Sequence, residues 1–137
     1  MTKLPLLTAL DHLVLTVADL PATVAFYQAL GMRVEKFTPT GQAKEQGERL
    51  ALCFGVQKIN LHQSGKEISP NAQNASTGTA DLCFLSPTPL ADWMIHLRQA
   101  GIDVLQGPVP RTGAMAPIMS IYLRDPDGNL IEISNAA

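Results

Sequence analysis

Four residues in predicted strands have side chains that could bind a metal ion. They are two imidazoles and two carboxylates, His12, His62, Asp81 and Glu132. Each points away from the aliphatic side of its strand, and two imidazoles with one or two carboxylates suit a divalent first-row metal with open positions for substrate. A carboxylate among apolar residues is costly unless it is compensated. The pattern therefore predicts either a metal centre or a metal-free polar pocket in which His12 donates to Glu132.

The last quarter of the chain is the segment most clearly patterned as a pair of strands. Residues 118–134 are predicted to form two strands joined by the turn Asp125–Gly128, with proline preset for a type I turn and glycine at the last position. In the second strand Ile131 and Ile133 point to one face and Glu132 points to the other.

The elements that must position these residues occur twice in the same order. The first set is a strand at 10–17, a helix that begins after Asp19 and ends at Gly31, strands at 32–37, 49–54 and 57–62, and a polar loop at 39–47. The second set follows a polar crossover at 63–78 and comprises a strand at 80–85, a helix from 87 to 100, a strand at 102–105, a glycine- and proline-rich loop at 106–117, and the terminal hairpin. Two repeated units, at 10–62 and 80–134, thus predict a single α+β domain.

Composition excludes several classes of protein. The 137 residues are 46% hydrophobic and 16% charged with a net charge of −2, which argues against nucleic-acid binding and a disordered tail. No apolar run is long enough to span a membrane, and the first residues lack a signal-peptide core, so we expect a cytoplasmic protein. Cys53 and Cys83 lack metal or redox spacing and are expected to be buried free thiols.

Three motifs in this order resemble the vicinal oxygen chelate superfamily, which includes glyoxalase I, extradiol dioxygenases, fosfomycin-resistance enzymes and bleomycin-binding proteins. They are Asp11-His-Leu-Val-Leu-Thr-Val-Ala-Asp-Leu20, Ala25-Phe-Tyr-Gln-Ala-Leu-Gly-Met32 and Asp125-Pro-Asp-Gly-Asn-Leu-Ile-Glu-Ile133. The resemblance covers residues 10–135. Residues 57–62 and 107–113 further resemble the glyoxalase domain-containing protein 5 group.

The resemblance implies a fold and a ligand set. Each βαβββ module would curl a mixed sheet into half of a barrel, with ligands on the first and last strands of both modules. His12 and Glu132 match two of these positions, and Asp81 stands where glyoxalase-like members usually have histidine. At the fourth-strand position, the alternatives are Asn60, by alignment, and His62, which shares its face. The implied metal is nickel, zinc, manganese or ferrous iron, and the implied assembly is a homodimer.

Two further residues are candidates for substrate binding, together with Asn60. Arg111 is predicted in a loop, where its guanidinium could clamp a substrate carboxylate or remain solvated. Tyr122 could line the pocket or pack against neighbours.

Three functions follow from these residues and the resemblance. The first is a glyoxalase-type enzyme in which a metal polarises two vicinal oxygens, Glu132 or Asp81 moves the proton, and glutathione is a possible co-substrate. The second is an extradiol-type dioxygenase on ferrous iron, and the third is a metal-free binding protein of the bleomycin-resistance type. Only 5% of residues are aromatic, which argues mildly against an aromatic-lined drug cleft.

Overall fold

The computed structural model describes residues 3–38 and 47–137, which form two βαβββ modules. The first module comprises β1 (His12–Val17), α1 (Leu20–Ala29), β2 (Arg33–Phe37), β3 (Arg49–Phe54) and β4 (Gln57–Gln63). The second comprises β5 (Asp81–Leu85), α2 (Leu90–Gln99), β6 (Gln106–Thr112), β7 (Pro117–Arg124) and β8 (Leu130–Ala136). Residues 39–46 of the predicted polar loop lie outside the described residues.

Each module builds one four-stranded mixed sheet with the same topology. The strand orders are β1-β4-β3-β2 and β5-β8-β7-β6, so the first and last strands of each module are neighbours. Those two strands run parallel, and the remaining neighbours run antiparallel. Across the described residues neither sheet closes into a barrel. The predicted α+β class with two βαβββ modules is confirmed.

Helix α1 begins and ends where local chemistry dictates. The Asp19 carboxylate accepts a hydrogen bond of 3.0 Å from the backbone N–H of Ala22, and Pro21 occupies the first turn. Gly31 has a φ of 90°, a conformation that favours glycine after a helix. The predicted start after Asp19 and end at Gly31 are therefore correct.

One hydrophobic core joins the two modules. Alternate residues of strands in both sheets are fully or almost fully buried, as Leu15 and Val17 in β1 and Ile131 and Ile133 in β8 show. Leu97 of α2 belongs to the same cluster. Because both sheets contribute one face to a shared core, the other face of each points away from it. We call these the outer face of the first sheet and the outer face of the second sheet.

The outer faces carry exposed apolar side chains. Val14 is 46% exposed on the first sheet and Leu85 is 77% exposed on the second. Cys53 is buried, as expected, but the same expectation for Cys83 is wrong. Cys83 alternates with the core-packed Leu82 and Phe84, so it lies on the outer face and is exposed.

The strand that follows α2 lies at a different place in the sequence from the one predicted. Residues 102–105 are not a strand, and β6 instead occupies most of the predicted loop, at Gln106–Thr112. Prolines at 108 and 110 favoured a loop because they cannot donate a backbone hydrogen bond. An edge strand tolerates such residues, and β6 is at the edge of its sheet. Arg111 consequently lies in a strand, not in the glycine-hinged loop that was predicted.

A buried polar network connects the first module to the turn before β8. The Tyr27 hydroxyl donates to Oδ2 of Asp125 at 2.7 Å, and the Asn129 side-chain amide donates to the same oxygen at 2.7 Å. The side-chain oxygen of Asn129 accepts from the backbone N–H of Ala80 at 2.8 Å. The network thus fixes the chain immediately before β5 and β8.

Within the described ranges, neither helix has the length and apolar content needed to cross a lipid bilayer.

Candidate functional site

Glu132 is held on the outer face of the second sheet by two serine hydroxyls. Its Oε2 accepts a hydrogen bond of 2.6 Å from Oγ of Ser120, and Oγ of Ser134 lies 3.4 Å from the same oxygen. The two serines are fully buried and lie 2.7 Å apart, whereas Glu132 is only half-buried. These contacts orient the carboxylate, and because both involve Oε2, Oε1 is the oxygen available for a ligand.

Asp81 lies beside Glu132 in the register of the second sheet. Asp81 pairs with Leu130 and Cys83 pairs with Glu132, so the two carboxylates are one same-face step apart on neighbouring strands. Asp81 is exposed. The second sheet therefore presents two carboxylates on one face.

The first sheet presents the matching pair, His12 and Asn60. His12 pairs with Lys58 and Val14 pairs with Asn60, which is the same one-step relation as between Asp81 and Glu132. The register thus makes Asn60 the positional equivalent of Glu132. This register favours Asn60 over His62 at the fourth-strand position that the sequence left open.

His62 lies farther along β4, the strand that carries Asn60. It pairs with Thr16, four residues beyond the level of His12. At about 3.3 Å per residue, this separates the two histidines by about 13 Å along the sheet. Two imidazoles that bind one ion at about 2 Å cannot span that distance. His12 and His62 therefore lie at different levels of the outer face of the first sheet.

Asn60 and His12 both have features that suit a cation. Oδ1 of Asn60 is buried and has no hydrogen-bond partner among the described residues, which is costly for an amide oxygen. Nδ1 of His12 lies 2.8 Å from Oδ2 of Asp11, an arrangement that leaves Nε2 for a metal. One imidazole nitrogen with amide and carboxylate oxygens is a donor set that fits a divalent metal ion.

A single chain does not bring the two pairs together. Across residues 3–38 and 47–137, no group of three or more histidine, cysteine, aspartate or glutamate side chains could hold a metal ion. The predicted donation from His12 to Glu132 is also not seen, since His12 contacts Asp11. Each chain carries two separate candidate pairs, which we name the His12–Asn60 half-site and the Asp81–Glu132 half-site.

Tyr122 and Arg111 extend the Asp81–Glu132 half-site. Tyr122 pairs with Glu132 across the β7–β8 ladder. Nε of Arg111 donates to the Tyr122 hydroxyl at 2.7 Å, and its guanidinium carbon lies 5.3 Å from the centre of the ring. Arg111 is thus anchored against Tyr122 on a strand.

Sequence reasoning missed Ser120 and Ser134, the residues that orient Glu132. The available signal was their alternation with Tyr122 and Glu132, which places all four on one face of the predicted hairpin. A buried serine in a strand carries no chemical signal of its own, so only the cross-strand register shows its role.

Comparisons with known proteins agree with this architecture. The sequence model of the Glyoxalase/Bleomycin resistance protein/Dioxygenase superfamily matches residues 9–133. The virulence protein STM3117 of Salmonella typhimurium is 52% identical over 126 residues, which are 91% of this chain and 82% of that protein. The glyoxalase domain-containing protein RDO1 of Mycosarcoma maydis is 52% identical over 127 residues, 93% of this chain and 68% of that protein.

A solved structure is similar over nearly the whole chain. An integron cassette protein from the mobile metagenome of Vibrio cholerae is 51% identical and superposes with a TM-score of 0.89. The match covers 98% of this chain and 100% of that chain. The family match and these similarities cover both modules and both half-sites. The chain therefore belongs to the Glyoxalase/Bleomycin resistance protein/Dioxygenase superfamily.

Proposed function

We propose that the protein is a metal-dependent enzyme of the glyoxalase type, whose site forms between two copies of the chain. In this homodimer the His12–Asn60 half-site of one copy faces the Asp81–Glu132 half-site of the other. The observation that carries the proposal is the matched register: each sheet offers two potential ligands one same-face step apart, and neither pair is sufficient alone.

Exposed apolar side chains support the pairing of these faces. Val14 is two residues beyond His12 and pairs with Asn60, and Leu85 lies two residues beyond Cys83, which pairs with Glu132. Both are substantially exposed in one chain. A second copy placed against these faces would remove them from water, which favours association.

The substrate class follows from the ligand set and the family. A divalent ion at this site would polarise two neighbouring oxygens of a small carbonyl substrate. Glu132, whose Oε2 is held by Ser120, would take a proton from the carbon that carries one of these oxygens and return it to the carbon that carries the other. Asp81 is the second carboxylate that could accept it. The Tyr122 hydroxyl, anchored by Arg111, can orient a substrate oxygen.

Metal analysis tests the first part of the proposal. We expect protein purified without chelator to retain about one divalent ion per chain, because a two-fold dimer contains two equivalent sites. Glu132→Gln removes a charged ligand and should lose most of this metal. Asp92→Asn is the control, since it removes an exposed carboxylate in the first turn of α2, away from both outer faces. Wild-type metal content in Glu132→Gln would refute the ligand assignment.

Activity assays test the second part. The hemithioacetal of methylglyoxal and glutathione is the first substrate to try, followed by absorbance. A panel of catechols on protein loaded anaerobically with ferrous iron tests the extradiol-type alternative. Metal-free protein that binds an aromatic drug tightly would instead support the bleomycin-resistance type. Turnover of a dicarbonyl adduct that disappears in Glu132→Gln is the result we expect.

A further inference from the structure

A cavity of about 200 Å³ lies between the outer face of the first sheet and the crossover that links the modules. Val14 and Thr16 of β1 and His62 of β4 line one side. The other side is formed by Asn129 and by the crossover residues Pro70, Asn71, Ala72, Asn74, Ala75, Ser76, Thr79 and Ala80. The crossover is tied down at both ends. Ser64 donates its N–H to the Val17 carbonyl at 2.8 Å, and Ala80 donates its N–H to the Asn129 side chain at 2.8 Å.

The cavity is lined by apolar side chains with uncharged polar groups among them. Among the described residues that line it there is no carboxylate, ammonium or guanidinium group. The imidazole of His62 is partly buried in this lining. Thr16 adds a hydroxyl beside it, and Asn71 and Asn74 add two amides. Such groups can donate to and accept from an uncharged polar ligand, but they do not compensate an anion.

The cavity lies next to the His12–Asn60 half-site. His62 is two residues beyond Asn60 on the same face of β4, a separation of about 7 Å. A chain of about five single bonds covers that distance. A substrate whose vicinal oxygens are held at the proposed metal site can therefore reach the cavity with its opposite end.

We propose that this cavity is the specificity pocket of the enzyme, and that His62 and Thr16 bind an uncharged hydrogen-bonding group, such as a carboxamide or hydroxyl, at the far end of the substrate. The inference rests on the proposed function, because the metal site holds the near end. It also gives His62 a role in substrate binding. His62 lies too far from His12 for the two imidazoles of one chain to bind the same metal ion.

Hydroxamic acids separate the two claims, since they chelate metals through two neighbouring oxygens. Three probes are titrated calorimetrically into the metal-containing dimer: acetohydroxamic acid, the monohydroxamate of glutaric acid, and the amide of that monohydroxamate. The first has no far end, the second ends in a carboxylate, and the third ends in a carboxamide. We expect the carboxamide to bind about ten-fold tighter than acetohydroxamic acid, the gain of one or two net hydrogen bonds. The carboxylate should gain little.

Two variants test whether His62 and Thr16 provide the gain in affinity for the carboxamide probe. His62→Ala and Thr16→Val should each remove most of the ten-fold advantage while leaving the affinity for acetohydroxamic acid and the metal content unchanged. Thr16→Val preserves side-chain shape and serves if His62→Ala folds poorly. His96→Ala is the matched control, because that imidazole contacts the Ala29 carbonyl far from the cavity.

The outcomes are distinguishable. Failure of acetohydroxamic acid to bind would reject the proposed metal site and the pocket with it. Binding of acetohydroxamic acid without any gain for the carboxamide would reject the pocket alone. A carboxylate probe that gains as much as the carboxamide would overturn the uncharged class of ligand, and a gain that persists in both variants would overturn the role of His62 and Thr16.

Discussion

The hydrogen bond from Tyr27 to Asp125 gives a prediction whose size can be worked from the structure. Tyr27 is fully buried and its hydroxyl lies 2.7 Å from Oδ2 of Asp125. Burial, and then this hydrogen bond, raise the pKa of the phenol, so it stays a donor at all ordinary pH values. A hydrogen bond to a charged group contributes about 1.5–3 kcal/mol.

Tyr27→Phe keeps the ring and removes only the donor. Asp125 retains the side-chain amide of Asn129 and the backbone N–H groups of Asp127 and Asn129, so its charge is not left bare. We therefore expect a loss of about 2 kcal/mol, within the lower half of the range. For 137 residues this corresponds to a decrease in Tm of about 7 °C, given an unfolding entropy near 2 cal/mol/K per residue.

The assay is thermal and urea unfolding of wild type, Tyr27→Phe and Tyr122→Phe. Tyr122→Phe makes the same chemical change but removes only an acceptor for the exposed Arg111, so its Tm should move by less than about 2 °C. Equal shifts for the two variants would show that the Tyr27 network does not join the modules. A wild-type Tm for Tyr27→Phe would lead to the same conclusion.

Two further predictions concern the crossover and His62. Gly78 has a φ of +74°, and an added Cβ would lie 2.6 Å from the carbonyl oxygen of Asp127, so Gly78→Ala should cost more than about 2 kcal/mol in urea unfolding. Gly55→Ala, also at positive φ but with nothing within 4 Å of the added Cβ, should lower the free energy of unfolding by about 1 kcal/mol. Equal losses in the two variants would contradict the close contact between Gly78 and Asp127. The lowered pKa of His62 means that the unfolded chain binds its proton first as pH falls through about 6.5, so the folded state loses stability there. His62→Gln should lose less stability than wild type between about pH 7 and 5.5, and parallel urea midpoints would contradict burial of the neutral ring.

The architecture was readable from the sequence because its strands have clear alternation. Ile131 and Ile133 are buried and Glu132 is not, as the period of two in the terminal hairpin predicted. The helix start at Asp19 was readable because its capping chemistry is local. The strand β6 was missed because Pro108 and Pro110 are typical of a loop. A strand tolerates these prolines at the edge of a sheet, and edge position is a tertiary property.

The candidate site was readable only in part. His12 and Glu132 were singled out by residue type and face, which are local properties. Asn60 and His62 share one face of β4, and periodicity cannot separate residues that are two apart. The pairing of β4 with β1 resolves their levels, and that pairing joins residues almost fifty positions apart. The orientation of Glu132 by Ser120 depends on register in the same way.

The proposed division into half-sites also depends on more than local sequence. The sequence identifies the four strands that carry potential ligands, but it does not say which faces of the two sheets meet. The structure answers for one chain, in which the inner faces share a core. Which outer faces meet is a property of the assembly, so it has to be tested between chains.

Complementation between two inactive variants tests the central claim most directly. His12→Ala damages one half-site and Glu132→Gln the other, so each homodimer should lack metal. A mixed dimer would contain one doubly damaged site and one intact site, and random mixing should restore about a quarter of the wild-type metal content and activity. Restoration at that level, after the two variants are unfolded and refolded together, is the predicted result. No metal and no activity above the sum of the separate variants, in a mixture shown to contain mixed dimers, would contradict a site shared between chains.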